Sequence, residues 1–347
     1  MAQPQADDPG PSVDKAQIAR NSDRVGDNAA FGTSARFCSH PPASKNTGMP
    51  LVRLLLAAFV LFFAGPAARP AGPPPQPALW AVQDADTIVY LFGSVHELRP
   101  DLAWFQGPVR RAFEESDALV LELVAPPEGE VQAALRRVAP PADAPPLPER
   151  LPPGYAEKLA AATRAAGYPE GAFDRMDPWL AATSLSILPL RRTGYSREAG
   201  VEAVLTASAR RAGKPIEGLE TQRDQIAMFD QLPEAEQIAM LTRVLDGQDA
   251  AADLMRRTAE AWSRGDTDTL AAIIAHDLRQ TSDAVQQRVL ADRNAAWADW
   301  VTRRMERPGR VFMAVGTGHL VGPGSLQDAL AAKGLHVRRL TPAPTKP

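Results

Sequence analysis

Cysteine is nearly absent. The 347 residues hold one, Cys38, which excludes an intrachain disulfide. A long basic run is missing too, and 38 Lys and Arg against 41 Asp and Glu leave a net charge of -3. Nucleic acid is therefore not an expected partner. The apolar block at residues 54–64 is eleven residues long, short of the roughly 20 that a spanning helix needs. Neither H-E-x-x-H nor G-x-S-x-G occurs, which disfavours the metalloprotease and serine-hydrolase chemistries those motifs carry. Thiol catalysis is equally disfavoured, because Cys38 falls in a segment expected to be lost on export.

Histidine is scarce, and its placement is informative. Of the five (His40, His96, His276, His319 and His336), two close matching segments. These are residues 87–96, TIVYLFGSVH, and residues 311–319, VFMAVGTGH. Each is a short uncharged run, as suits a strand buried on both faces, and each ends in G-x-x-H. Gly93, Gly316 and Gly318 are expected to let the chain leave its strand through a tight, left-handed turn. Carboxyl ends of strands are where open α/β sheets bind ligands. His96 and His319 are thus expected to share a site; the remaining histidines lie in a polar leader, a helix and a last strand.

The organisation follows from composition. Residues 1–48 lack any helical or strand period and read as a disordered leader or an upstream start. From Met49 run Arg53, the apolar block and the small residues 65–68, the layout of a signal peptide cleaved after Ala67 or Ala68. This makes 49–67 an export signal, the only expected membrane contact, and places the mature chain in the periplasm or outside the cell. Residues 68–78 form a proline-rich linker, residues 79–342 one α/β domain, and 343–347 a tail. Within the domain, residues 79–82 and 87–92 predict a hairpin. Residues 118–124 and 214–219 predict further strands, and the stretch between and beyond them is mostly helical. A helix over 282–305 places Leu290, Asn294, Trp297 and Val301 on one face. Residues 311–340 predict a β-α-β unit with a parallel crossover.

Two carboxylates stand out. Glu122 is the one charge in the apolar run ALVLELV, where a carboxylate is costly unless it ligates something or pairs with a neighbouring arginine. Glu220 follows the strand KPIEGL. Two imidazoles with one or two carboxylates suit Zn, Mn or Co and could activate a bound water, with an arginine such as Arg223 or Arg293 stabilising the oxyanion. For those arginines the structural alternative is an ion pair with a nearby carboxylate.

With YLFGSVH, DALVLEL, GKPIEGLETQRDQ, DRNAAW and AVGTGHLVGPGSL in this order, the chain from residue 79 to 340 resembles the TraB/GumN family, to which the Tiki proteases are related. Asp292 stands where the pattern usually has glutamate. The resemblance implies an α/β fold with two related halves, central mixed sheets and a substantial helical portion, its G-x-x-H elements facing a shared cleft. It also implies an exported, metal-dependent hydrolase of peptides or small molecules. His96, His319 and Glu122 would then be metal ligands, and Glu122, Glu220, Arg223, Arg293 and Asn294 catalytic or orienting groups. Two alternatives stay open: a metal-free ester or amide hydrolase with a histidine general base, as in the erythromycin esterase-like branch, and a protein that binds a peptide, signal or haem without turnover.

Overall fold

Asp84 starts the fold by turning the chain back on itself. Its Oδ1 accepts hydrogen bonds from the backbone N–H of Asp86 and Thr87, at 3.1 and 2.8 Å, a local turn that aspartate favours. Either side of it, β1 (Leu79–Gln83) and β2 (Thr87–Ser94) pair antiparallel, as the alternation of short apolar runs around a polar connection requires. The computed structural model describes residues 74–341 except 127, 138, 139, 142 and 192. The segments expected to be a leader, a signal peptide and a tail, and most of the expected linker, lie outside the described residues.

Four more strands complete one six-stranded mixed sheet: β3 (Ala118–Leu123), β4 (Ile216–Glu220), β5 (Gly309–Gly316) and β6 (Val337–Arg339). The order is β4-β3-β5-β2-β1-β6. The first four in that order are mutually parallel, while β1 runs against β2 and β6 against β1. Strands β2, β3 and β5 are mostly buried, which is why they read as apolar runs, broken only by Glu122 and by Arg310 at the start of β5, rather than as alternating ones. As expected, β5, the helix Leu326–Ala332 and β6 form a crossover between parallel strands. The crossover passes over β2 and β1 instead of joining neighbours.

The sheet is held by a large apolar core. Phe92 stacks on Trp104 at 5.6 Å and meets Phe312 and Trp262 at 5.6 and 5.9 Å between ring centroids. Phe113, from the helix Gly107–Glu115, closes edge-on against Phe312. Burying each such ring contributes roughly 1.5–3 kcal/mol. Trp262 also donates its Nε1–H to the carbonyl of Gly93 at 2.8 Å, which satisfies a buried polar group in the middle of this packing. A second core lies among helices, where Leu147, Leu159, Phe173, Leu185 and Leu241 are fully or almost fully buried.

This topology puts the carboxyl ends of four parallel strands along one edge. Glu220 ends β4, Glu122 stands one residue before the end of β3, and the two G-x-x-H elements leave β5 and β2. Ser94 and Gly316 are register partners, so the two motifs leave neighbouring strands at the same level. Strand β2 comes from the first part of the chain and β5 from the last, which is compatible with two related halves meeting within one sheet.

Candidate functional site

The two G-x-x-H elements lock onto each other. Thr317, the second residue of G-T-G-H, donates its hydroxyl proton to the carbonyl of Ser94, the second residue of G-S-V-H, at 2.9 Å in a buried position. Close approach, not backbone handedness, demands the glycines. A Cβ on Gly93 would lie 2.9 Å from Thr317 Oγ1 and 3.3 Å from its Cα, and one on Gly316 would lie 3.0 Å from Glu122 Oε1. Neither glycine nor Gly318 is among those with positive φ, and Gly316 sits at φ -49, ψ 134. The expected left-handed turns are therefore corrected: Gly93 and Gly316 need room for a neighbour, which a side-chain hydrogen also supplies, while a Cβ on Gly318 would meet Ile274 at an ordinary 3.6 Å.

Arg293 is the hub of the buried part. It stands near the start of the helix Asp292–Met305, which follows a single π-helical turn at Gln287–Ala291. Such widened turns concentrate at functional sites. A guanidinium has five N–H donors, and here each has an acceptor. Nε reaches Glu220 Oε1 at 2.6 Å, and Nη2 reaches Glu122 Oε2 at 2.7 Å and Glu220 Oε2 at 3.0 Å. Nη1 reaches His319 Nε2 at 3.0 Å and, at 3.4 Å, the Val289 carbonyl of the π turn. Its ring-facing side lies 4.6 Å from the centroid of Trp297. Burial would lower the arginine's pKa, but the two glutamates outweigh it and hold the guanidinium more firmly charged.

These contacts fix the state of His319. Arginine can only donate, so Nε2 of the imidazole must accept, and Nδ1 carries the proton that it donates to Asn294 Oδ1 at 2.8 Å. Asn294 is aligned in turn by donating its Nδ2–H to the Gly324 carbonyl at 2.8 Å. The His319 ring packs 4.4 Å from that of Trp297. Burial, opposed by the Glu122 charge and aided by Arg293, pushes the His319 pKa down to about 4. His319 is a neutral, fully engaged group. Glu122 is bound as tightly, since its Oε1 accepts the backbone N–H of Gly316 while its Oε2 holds Arg293.

His96 differs on every count. Its side chain is 74% exposed and its Nδ1 lies 2.8 Å from Glu202 Oε1. The hydrogen bond to Glu202 and the charge of that carboxylate, with a further contribution from Glu122, raise the His96 pKa to about 9. Burial alone would raise the pKa of Glu202, yet the hydrogen bond and charge of His96 leave it below the ordinary range. Glu202 is delivered by the helix Val201–Arg211, whose first turn is pressed against the end of β2. Val201 N donates to the Val95 carbonyl at 3.1 Å, and Gly200 sits so close that a Cβ there would be 1.9 Å from the His96 carbonyl oxygen.

Of the candidates read from sequence, Glu122, Glu220, Arg293, Asn294 and His319 form one hydrogen-bonded cluster. His96 stands apart from that cluster in the exposed pair with Glu202. Arg223 is exposed on the helix Gln222–Asp230 and takes no part in it. Glu202 was not recognised from sequence, where it is one more acid in the first turn of an amphipathic helix. The glycine immediately before that turn is the only local sign. Among the described residues, no three His, Cys, Asp or Glu side chains converge to hold a metal ion. His319 has no lone pair to offer while Arg293 holds Nε2, so the proposed set of His96, His319 and Glu122 does not fit a Mn, Co or Zn ion as the protein is folded.

Comparison with known proteins agrees with the order of these motifs. The model of the TraB/PrgY/gumN family matches residues 78–339. The uncharacterized protein YbaP of Escherichia coli (strain K12) is 26% identical over 254 residues, covering 73% of this chain and 92% of YbaP. That of Shigella flexneri is 27% identical over 241 residues, 70% of this chain and 87% of the relative. No solved structure matches the chain.

Proposed function

Because this chain belongs to the TraB/PrgY/gumN family, whose motifs supply the strand-end site, we propose that it is an exported hydrolase of peptide or ester bonds working through the His96–Glu202 pair. The observation that carries this is the 2.8 Å contact between His96 Nδ1 and Glu202 beside a largely exposed imidazole, at the strand edge where α/β folds place chemistry. A carboxylate behind one ring nitrogen orients the imidazole and makes the other a stronger base.

In the neutral fraction of His96, Nε2 takes a proton from a water molecule as its oxygen forms a bond to the substrate carbonyl carbon. Glu202 stabilises the imidazolium produced. The same proton then passes from Nε2 to the leaving nitrogen or oxygen as its bond to carbon breaks, which restores the base. Arg293 has every donor committed, so its part is to position: it clamps Glu122, Glu220 and His319 together and has no N–H left for an oxyanion. The divalent metal that the resemblance implies has no step here, since the donors it would need are engaged with one another.

The test is a screen of blocked peptides and chromogenic esters with the chain lacking residues 1–67, in the presence of chelator. The expected result is turnover that rises with pH toward about 9, falls at least about 100-fold in His96→Ala, and shifts to a lower apparent pKa in Glu202→Gln. Turnover in His96→Ala equal to the parent, or turnover that appears only on adding Mn, Co or Zn, would overturn the reading.

A further inference from the structure

Ser94 is the last residue of β2 and stands two before His96. Its backbone is fixed from the neighbouring strand: it is the register partner of Gly316, and its carbonyl accepts the Thr317 hydroxyl at 2.9 Å. Its side chain is buried, 4% exposed. The hydroxyl oxygen is sealed from solvent and closes no hydrogen bond of full geometry among the described residues. A buried hydroxyl left in that state calls for a reason.

The reason lies in what docks against the strand end. Val201 N donates to the Val95 carbonyl at 3.1 Å, so the first turn of the helix Val201–Arg211 is pinned between Ser94 and His96. Glu202 is the next residue of that turn, and its Oε1 meets His96 Nδ1 at 2.8 Å. Burial raises the pKa of Glu202; His96 lowers it by its hydrogen bond and its charge, and the Ser94 hydroxyl lowers it further. The carboxylate therefore has two donors beside it, one on each side of Val95. A hydroxyl hydrogen rotates freely about its bond, so a small turn of Glu202 closes the second contact. One donor alone would leave the carboxylate free to pivot about His96; two fix its plane. Ser94 is not placed to attack a substrate itself, because its oxygen has no surface to offer and His96 Nδ1 faces Glu202.

We propose that Ser94 is a positioning residue of the His96 site: its buried hydroxyl donates to Glu202 and holds that carboxylate against His96 Nδ1 while the imidazole takes and returns a proton. The inference rests on the hydrolase reading, and its test separates the two. A carboxylate oriented in advance stabilises the imidazolium without having to reorganise as it forms. Two other charges act on His96, Glu122 from β3 and Arg197 from the loop before the helix, the first raising and the second lowering its pKa. Neither is altered by a change at Ser94.

The experiment follows the His96 ring by NMR from pH 5 to 10 in the full chain, beside turnover of blocked peptides and chromogenic esters, in the parent, Ser94→Ala, Ser94→Cys and Ser94→Thr. In Ser94→Ala the His96 pKa should fall from about 9 by roughly half a pH unit or more, and kcat should drop about 3- to 10-fold with KM unchanged. Ser94→Cys, which fills the space with a weak donor, should follow Ser94→Ala. Ser94→Thr, which keeps the hydroxyl, should restore most of both. Thermal unfolding like that of the parent qualifies each variant. A His96 pKa unchanged or raised in a folded Ser94→Ala, or Ser94→Cys indistinguishable from the parent, would overturn the positioning role and leave the hydrolase reading standing. Should the pKa fall as expected in a chain that hydrolyses none of the peptides or esters, the hydrolase reading fails and the hold of Ser94 on Glu202 stands.

Discussion

At the residue scale, the site separates two histidines by their protons, and the separation has opposite consequences for stability. His319 has a folded pKa lowered to about 4, so between there and the ordinary histidine value near 6.5 the unfolded chain binds the extra proton. Its contribution is present above that window and is lost as pH falls through it. His96, raised to about 9, binds its proton more tightly when folded, so its contribution is present below about 6.5 and lost as pH rises toward 9. With His96 largely exposed, that pair contributes little, and the acid limb should dominate. Urea unfolding at intervals from pH 4 to 9 should show the steeper loss on the acid side, and His319→Gln should flatten it.

Arg293 offers a sharper test at this scale. Removing it as Arg293→Met leaves two glutamates, 15% and 13% exposed, without their counter-ion, which should cost about 3–5 kcal/mol of unfolding free energy. Arg293→Lys should recover little of that, because an ammonium lacks the planar fork that reaches both carboxylates and the imidazole together. Glu122 was legible in the sequence as a lone charge in an apolar strand, and of its two readings the structure shows the pairing with an arginine. Which arginine could not be read, because Arg223 and Arg293 look alike until the fold brings one of them inside.

At the scale of elements, the inner strands were legible because burial leaves a largely apolar run, and β2, β3 and β5 fall where those runs are, whereas β4 and β6 are short, partly exposed and charged. The π turn at Gln287–Ala291 was not legible, since the apolar spacing around it continues an ordinary helical pattern. The glycines were read as turn-formers, whereas the structure uses Gly93 and Gly316 as points of contact between elements. Gly93→Ala should therefore push β2 away from Thr317 and cost about 1–3 kcal/mol, read as a lower urea midpoint. Gly200→Ala should do more, because the added carbon would meet the His96 carbonyl itself. In that variant the helix carrying Glu202 has to retreat, and the His96 pKa should fall back toward 6.5. A His96 titration still raised to about 9 in Gly200→Ala would show that the helix contact does not set the pair.

At the scale of the whole molecule, a single mixed sheet gathers residues that are far apart in the chain. His96 and Glu202 are separated by 106 positions, Glu122 and Arg293 by 171. Pattern reading recovers what each stretch wants locally and the α/β class that follows; it does not recover which helix docks on which strand end. That is why Glu202 was missed while His96 and His319 were found. The export half of the proposal concerns residues outside those described. Intact mass of the chain recovered from a bacterial periplasm should begin after residue 67 or 68, and a species retaining residues 54–64 would contradict it.

The most direct test of the site needs no substrate. Ring carbon and proton shifts of 13C-labelled histidine in the full chain, followed from pH 4 to 10 with His96→Gln and His319→Gln for assignment, report both protonation states at once. The expected result is one imidazole titrating near 9, moving to about 6.5 in Glu202→Gln, and another that stays neutral down to about 4 with its proton on Nδ1. Two ordinary titrations near 6.5 would contradict both the His96–Glu202 pair as the working base and the Arg293 clamp on His319.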